Sequence, residues 1–250
     1  MMSYPLFDSN VEKRFRHAQF ITSATCLAQC PASASAEIAF VGRSNVGKSS
    51  VINALCHQKR LAKTSKTPGR TQLINFFQAG DNFFLIDLPG YGYASVSREK
   101  QHLWQKEITR FLTERQSLSA LVLIIDIRHL LKDSDKVLLY MADSLALPVH
   151  ILLNKADKLS RNQANQTLFK LRQTITAEQH KLITPERDDE PSPFTLQTFS
   201  ATTRQGLDTF YQHVASHWLP AEDPQSEATA THNTPLISGS VNSDAKNCTK

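Results

Sequence analysis

The sequence predicts an α/β protein of three layers, with helices on both faces of a mostly parallel six-stranded sheet that has one antiparallel edge strand. Three observations carry this. Short apolar runs alternate with amphipathic segments of helix length. Two of the runs, 73–78 and 83–88, are separated only by Ala79-Gly80-Asp81-Asn82, a turn suited to an antiparallel hairpin. The run 37–41 passes directly into Gly42-Arg43-Ser44-Asn45-Val46-Gly47-Lys48-Ser49, and 49–56 reads as a helix. Strand, glycine loop and helix in that order form the setting of a phosphate-binding loop.

Further strands are predicted at 121–126, 149–154 and 194–200. Helix 98–115 carries Leu103, Trp104, Ile108, Phe111 and Leu112 at helical spacing, with Ser97 as N-cap. Helix 134–145 follows an Asp133 cap, and helix 161–180 opens on Ser160 and Gln163, a capping box. Helix 207–218 puts Phe210, Tyr211, Val214 and Trp218 on one side and stops at Pro220. Trp104 and Trp218 lie on these apolar faces and read as core. Residues 1–33 are read as an N-terminal extension, in which Phe20-Ile21-Thr22 fits a short edge strand. Residues 34–220 form the domain. Segment 184–193 reads as a loop, and 221–250, poor in large apolar residues, reads as a disordered tail.

The chain has 250 residues, 40% hydrophobic and 20% charged, as in ordinary soluble proteins. No window approaches the roughly 20 apolar residues of a membrane span, and no secretory signal opens the chain. Residues 1–220 carry 26 basic and 19 acidic residues, an excess that suits an anionic partner such as RNA without demanding one. Cys26, Cys30, Cys56 and Cys248 show no zinc or disulfide spacing and read as reduced thiols. The expectation is a cytoplasmic protein with no membrane partner and no transition-metal site.

The glycine loop fits G-x-x-x-x-G-K-[S/T], whose amide groups and helix N-terminus favour phosphate charge. Asp87-Leu88-Pro89-Gly90 ends a strand that would lie beside it, where phosphoryl-transfer sites need a carboxylate for Mg²⁺. The Gly90 amide stands where it would sense a γ-phosphate. Asn154-Lys155-Ala156-Asp157 also ends a strand. A carboxylate at Asp157 can accept the N1–H and NH₂ donors of guanine, a pair that adenine lacks, so GTP and GDP are the expected ligands. Phe199-Ser200-Ala201, after the last strand, offers backbone N–H groups to the guanine O6. A hydroxyl between Ser49 and the hairpin should complete the Mg²⁺ shell; of Thr64, Thr67 and Thr71, the last leads straight into the hairpin strand and is preferred. Lys59, Arg60, Lys63, Lys66 and Arg70 in that stretch form either an RNA-facing patch or a solvated loop.

Taken in order, these motifs resemble a Ras-type G domain of the P-loop NTPase class. Gly42-Arg43-Ser44-Asn45-Val46-Gly47-Lys48-Ser49-Ser50, Lys66-Thr67-Pro68-Gly69-Arg70-Thr71-Gln72, Asp87-Leu88-Pro89-Gly90-Tyr91-Gly92-Tyr93 and Asp126-Ile127-Arg128-His129 together resemble the EngB (YihA/YsxC) family of bacterial GTPases, over about residues 20–220. The resemblance implies a cytoplasmic, monomeric GTP-binding protein tied to large ribosomal subunit assembly and to cell division and septation. It implies Ser49 and Thr71 as Mg²⁺ ligands, and Lys48, Thr71, Asp87 and Gly90 as the residues of the chemistry. Nucleotide contacts would extend over Gly69-Arg70-Thr71-Gln72-Leu73. Leu130 stands where the family usually has proline, and the tail beyond Pro220 is long. Tyr91 replaces the water-orienting glutamine of many Ras-type enzymes, which implies slow hydrolysis. Asn45 either supports K⁺ beside the phosphates or only caps its loop. Arg128 and His129 either meet a partner or anchor the next helix. Two other functions are weighed: a GDP/GTP-dependent RNA- or protein-binding module with negligible hydrolysis, and a GTPase acting directly on a division protein.

Overall fold

The computed structural model describes residues 9–32, 34–63, 73–91, 98–180 and 194–219. In chain order these form α1 (Ser9–Arg16), β1 (Gln19–Ala24), β2 (Ala36–Gly42), α2 (Lys48–Leu55), β3 (Ile74–Gln78) and β4 (Phe83–Asp87). There follow α3 (Arg98–Glu114), β5 (Leu118–Asp126), α4 (Asp133–Ser144), β6 (Val149–Asn154), α5 (Arg161–His180), β7 (Phe194–Thr198) and α6 (Leu207–His217).

Among the described residues the strands form one seven-stranded sheet in the order β1-β3-β4-β2-β5-β6-β7, one strand more than expected. The additional strand is β1, which pairs antiparallel with β3, and β3 pairs antiparallel with β4. The antiparallel strand is therefore β3, and it lies one position in from the edge, which β1 occupies. Sequence alone left β1 ambiguous because its pattern is weak: Gln19, Phe20 and Ile21 are all exposed, as in a true edge strand. The segment 9–24 also joins the core of the following residues, through Val11 and Phe15.

Alternation along β2 sets the layers. Ile38 and Phe40 pack with α1, α2 and α6, through Phe15, Val51, Leu55 and Phe210. Ala39 and Val41 pack on the other face with Ile108 and Phe111 of α3, Leu138 of α4 and Leu171 of α5. Trp218 is buried in the first cluster, as its helical face implied. Glu37 is fully buried in β2 but paired: Arg115 donates from Nη2 to Oε1 at 2.6 Å and from Nε to Oε2 at 2.8 Å.

Helix bounds fall within a residue of expectation. Ser160 and Gln163 cap α5 reciprocally. At α4 the cap is Lys132 rather than Asp133, because the Asp135 carboxylate reaches back and accepts the Lys132 N–H at 2.9 Å. Cys30 and Cys56 are free, but Cys26 is disulfide-bonded, against the reading of four reduced thiols. No helix among the described residues is long and apolar enough to cross a membrane. The Ser97 cap, the Trp104 side chain, Gly69-Arg70-Thr71-Gln72, segment 184–193 and the tail 221–250 lie outside the described residues.

Candidate active site

Parallel pairing brings the motifs to one edge of the sheet, at the C-terminal ends of β2, β4, β5 and β6, with Phe199-Ser200-Ala201 directly after β7. Phe40 pairs with Asp87, and the Leu88 N–H donates to Phe40 O at 3.0 Å. The chain after β4 then runs alongside the glycine loop: Ser44 N–H donates to Tyr91 O at 3.0 Å, and Arg43 bridges Tyr91. Gly90 therefore sits against the start of the loop, close to Gly42 and Ser44.

Within the loop, Asn45 and Gly47 have φ of 65° and 95°, left-handed values that Asn and Gly tolerate best. A Cβ on Gly47 would also come within 2.6 Å of the Asn154 side-chain nitrogen. Lys48 opens α2, and its ammonium contacts Asp87 directly. Asp87 is almost fully buried at the end of β4, and Asn75 donates to its second oxygen at 3.4 Å. Ser49 follows Lys48 in the first turn of α2. A hydroxyl and a carboxylate beside the phosphate loop are the hard oxygen donors that Mg²⁺ prefers, so these residues fit that ion.

The second half of the site is braced against the first. Asn154 donates to Val46 O at 2.9 Å and accepts from Ala201 N–H at 3.2 Å. Lys155 sits at φ 66°, uncommon for Lys, and donates to Asn45 O at 2.7 Å. Its ammonium also contacts Asp126 at 3.0 Å. Ser200 donates to Asp157 Oδ1 at 2.6 Å and accepts the Thr203 N–H. That hydroxyl, helped by Lys158, holds the Asp157 carboxyl below its ordinary range, so it is a carboxylate at neutral pH. A cavity of about 450 Å³ is lined by Ala156 and Asp157 with Arg161 and Asn165 of α5, and by no glycine-loop residue.

Two carboxylates matter more than their sequence context suggested. Asp126 ends β5 opposite Asn154. Burial alone would raise its pKa, but Arg128 and Lys155 together hold it well below the ordinary carboxylate range. Arg128 is thus an anchor for Asp126, at 2.7 Å, and the His129 carbonyl accepts from Arg43 at 2.8 Å. Asp135 is nearly inaccessible. It accepts the Tyr91 hydroxyl at 2.7 Å and contacts Arg43 Nε at 3.1 Å. No sequence spacing announces Asp135; only its place in the first turn of α4 hinted at a helix-start carboxylate.

Hydrogen bonds from Asn154 and Lys155 thus join the glycine loop to the carboxylate-bearing loop at one edge of the sheet. Residues 37–155 match the family model described as 50S ribosome-binding GTPase. This is the arrangement of a P-loop GTPase, a GTP-binding protein. A probable GTP-binding protein EngB of Coxiella burnetii is 45% identical over 208 residues, covering 83% of this chain and 95% of the relative. One from Acinetobacter baylyi is 50% identical over 187 residues, 74% of each chain. The chain belongs to the EngB family of GTP-binding proteins. The fold agrees with a crystal structure of a probable EngB protein, at TM-score 0.54 and 23% identity, covering 72% of this chain and 97% of that one. It also agrees with Aquifex aeolicus Era, at TM-score 0.55 and 19% identity, over 74% of this chain and 57% of that one.

Proposed function

We propose that this protein hydrolyses GTP to GDP and phosphate, slowly and with Mg²⁺, as a switch in large ribosomal subunit assembly, and that cell division and septation depend on it. The observation that carries the nucleotide reading is the bracing of the glycine loop by Asn154 and Lys155, which ties triphosphate and guanine recognition into one unit. The ribosomal reading draws on the description of the matching family model.

In this reading the glycine loop Gly42 to Ser49 holds the phosphates, with the Ser44 N–H kept by Tyr91 O, and Lys48 leaves Asp87 to neutralise the β- and γ-oxygens. Ser49 and Thr71 would hold Mg²⁺ with the support of Asp87, and the ion would neutralise charge at the phosphate oxygens. Gly69-Arg70-Thr71-Gln72-Leu73 would add contacts to the nucleotide, as the family resemblance implies, and the Gly90 amide meets the γ-phosphate. Asp157 accepts from guanine N1–H and NH₂, and the Lys155 stem covers the base. The N–H groups of Phe199-Ser200-Ala201 donate here to Leu153 O, Gln205 O and Asn154 Oδ1, so in this reading the Ala201 N–H turns from Asn154 to the guanine O6. Water attacks the γ-phosphorus as its bond to the bridging oxygen breaks. Tyr91 carries no side-chain amide for that water, and its hydroxyl is committed to Asp135, so intrinsic turnover is slow and a partner supplies or orders the missing group. The protein acts in the cytoplasm as a monomer. Potassium stimulation through Asn45 is a separable element, removed by equal rates in Na⁺ and K⁺.

The test is single-turnover hydrolysis with and without large-subunit precursors, together with GTP-dependent co-sedimentation. Isolated turnover well above about 1 s⁻¹ would overturn the slow-switch reading. The Tyr91–Asp135 contact equally favours a binding module with negligible hydrolysis, which the same assay identifies if particles bind but never accelerate turnover.

A further inference from the structure

On the α1 face of the sheet, far from the motifs, the fold leaves an aromatic ring in solvent. Phe20 of β1 is 52% exposed and neighbouring Ile21 is 46% exposed. β1 is the edge strand, and its register shifts between Phe20 and Thr22, so Ile21 is a bulge. Phe20 pairs with Phe77 and meets its ring edge-on at 6.0 Å, which fixes the exposed ring on the face shared with α1 and α2. An exposed apolar edge is a liability that proteins usually cover or blunt.

Cations lie on the two elements that adjoin the start of β1. The loop 57–63 after α2 is tied down there: Gln58 donates to Arg16 O at 3.1 Å and Ala18 O at 2.7 Å. Asn53 clamps the loop further, donating to Ala62 O at 2.9 Å and accepting the Ala62 N–H at 2.8 Å. The loop is built, and it presents Lys59, Arg60 and Lys63 as exposed residues beside exposed Lys13 and Arg16 of α1. Segments 9–24 and 57–63 hold six Lys or Arg (Lys13, Arg14, Arg16, Lys59, Arg60, Lys63) against Glu12 alone, a net +5 that equals the charge of the whole chain. Glu12 offsets part of it, pairing with Arg16 at 2.7 Å and lying 3.1 Å from His57.

We propose that this corner (the end of α1, the open edge of β1 and the loop 57–63) docks single-stranded RNA, with Phe20 as the stacking platform and these cations on phosphates. A polyanion with accessible base faces uses every exposed feature here. A duplex offers no base face, and an acidic peptide has no use for the ring. The inference deepens the ribosome-assembly reading and rests on it only for the source of the RNA. Thr71, the preferred Mg²⁺ hydroxyl, follows Lys63 by eight positions in sequence.

The experiment is fluorescence anisotropy of the full chain with a single-stranded oligoribonucleotide of about 12 nucleotides, and with its duplex, across a salt series. Phe20→Ala should weaken single-strand binding by roughly 5- to 100-fold and leave duplex binding and the salt slope unchanged, while Phe20→Trp keeps the affinity. Lys59→Ala with Arg60→Ala should lower the salt slope by about 1.4. GTP affinity should be unchanged in all three. Wild-type binding weaker than about 100 μM at 0.1 M salt would overturn the proposal, as would Phe20→Ala binding like wild type. Polyglutamate competing as well as RNA would reassign the corner to an acidic protein. Co-sedimentation separates the two readings. Oligonucleotide binding without binding to large-subunit particles sinks the ribosomal reading and keeps this surface. Particle binding that Phe20→Ala leaves intact does the reverse.

Discussion

Replacing Tyr91 with Phe removes a single oxygen from the residue that follows Gly90. In the folded protein Tyr91 is 5% exposed and its hydroxyl donates to Asp135 Oδ1 at 2.7 Å; Asp135 itself is 1% exposed. The other carboxylate oxygen is engaged by Lys132 N–H at 2.9 Å and Arg43 Nε at 3.1 Å, so neither can shift without losing its own contact. A hydrogen bond to a charged, buried acceptor contributes about 1.5–3 kcal/mol. In a domain of this size each 1 kcal/mol moves the melting temperature by about 2–4 °C, so Tyr91→Phe should melt roughly 3–12 °C lower. Burial, reinforced by Asp135, pushes the Tyr91 phenol well above its ordinary value. It therefore donates throughout the working pH range, and no titration of Tyr91 should appear in the rate. The hydroxyl is committed to α4 and not to the phosphate end, so single-turnover GTP hydrolysis should stay within about threefold of wild type, under half of the 1.36 kcal/mol that a tenfold change represents. Calorimetric scanning and quenched-flow hydrolysis on the same preparation decide the matter. A variant as stable as wild type but slower by about 100-fold would refute the reasoning, since it would put the hydroxyl in the chemistry.

Three further outcomes follow from buried or paired groups. Glu37→Gln breaks a buried, bidentate pair with Arg115 and should cost about 3–5 kcal/mol in urea unfolding; a loss below about 1 kcal/mol would mean the pair is dispensable. In Ser200→Ala, Asp157 loses the hydroxyl that chiefly depresses its pKa. The Asp157 value should rise toward about 3.9 in a carboxyl NMR titration, and GTP affinity should begin to fall at a higher pH on acidification; an unmoved titration contradicts this. His150 is held at about 3 by burial and stacks at 4.2 Å on His213, which burial and His217 hold at about 4. Both lie below the unfolded value near 6.5, so the unfolded chain binds more protons. Their stabilisation is complete above about pH 6.5 and is lost as pH falls toward the folded values. Going from pH 7 to 5 should cost about 2–3 kcal/mol, with His213 contributing less because it is half-exposed. His150→Gln should flatten that slope, and an equal slope in the variant would place the acid sensitivity elsewhere.

What the sequence made legible is what backbone geometry demands. The hairpin, and the strand-end placement of the glycine loop and of the two carboxylate motifs, read correctly because each needs particular residue types at fixed spacing beside a strand. β1 escaped because an edge strand with both faces partly wet loses the alternation that marks strands, and the bulge at Ile21 breaks what remains. The extra strand also moved the antiparallel β3 inward from the edge. Asp135 escaped for a different reason. Its partners, Arg43 and Tyr91, are 92 and 44 positions away in sequence, and a carboxylate in a first helical turn is ordinarily explained by capping alone. Sequence leaves Arg128 to meet a partner or to anchor the next helix; its bidentate contact is to neither of these but to Asp126 at the end of β5.

The two halves of the site are not independent, and that can be measured with a ligand that has no base. Asn154 belongs to the guanine motif, yet its side chain donates to Val46 O within the glycine loop and accepts from Ala201, while Lys155 next to it holds Asn45 O. If the motifs were separate, Asn154→Ala would weaken guanosine and leave tripolyphosphate untouched. Because Asn154 supports the carbonyl just before Gly47, its loss frees the segment whose amides face the phosphates. Leaving the buried Val46 carbonyl without its donor costs about 1–3 kcal/mol, and the loop recovers part of that by reorienting away from its phosphate-ready form. Tripolyphosphate affinity should then fall by roughly 5- to 100-fold, alongside the loss for guanosine. Asp157→Ala makes no contact with the glycine loop and should affect guanosine alone. Isothermal titration of both ligands against both variants, at a temperature where each remains folded, distinguishes the cases. Equal tripolyphosphate affinities in Asn154→Ala and wild type would show that the braces only hold the fold, and that phosphate and guanine are gripped by two unconnected elements.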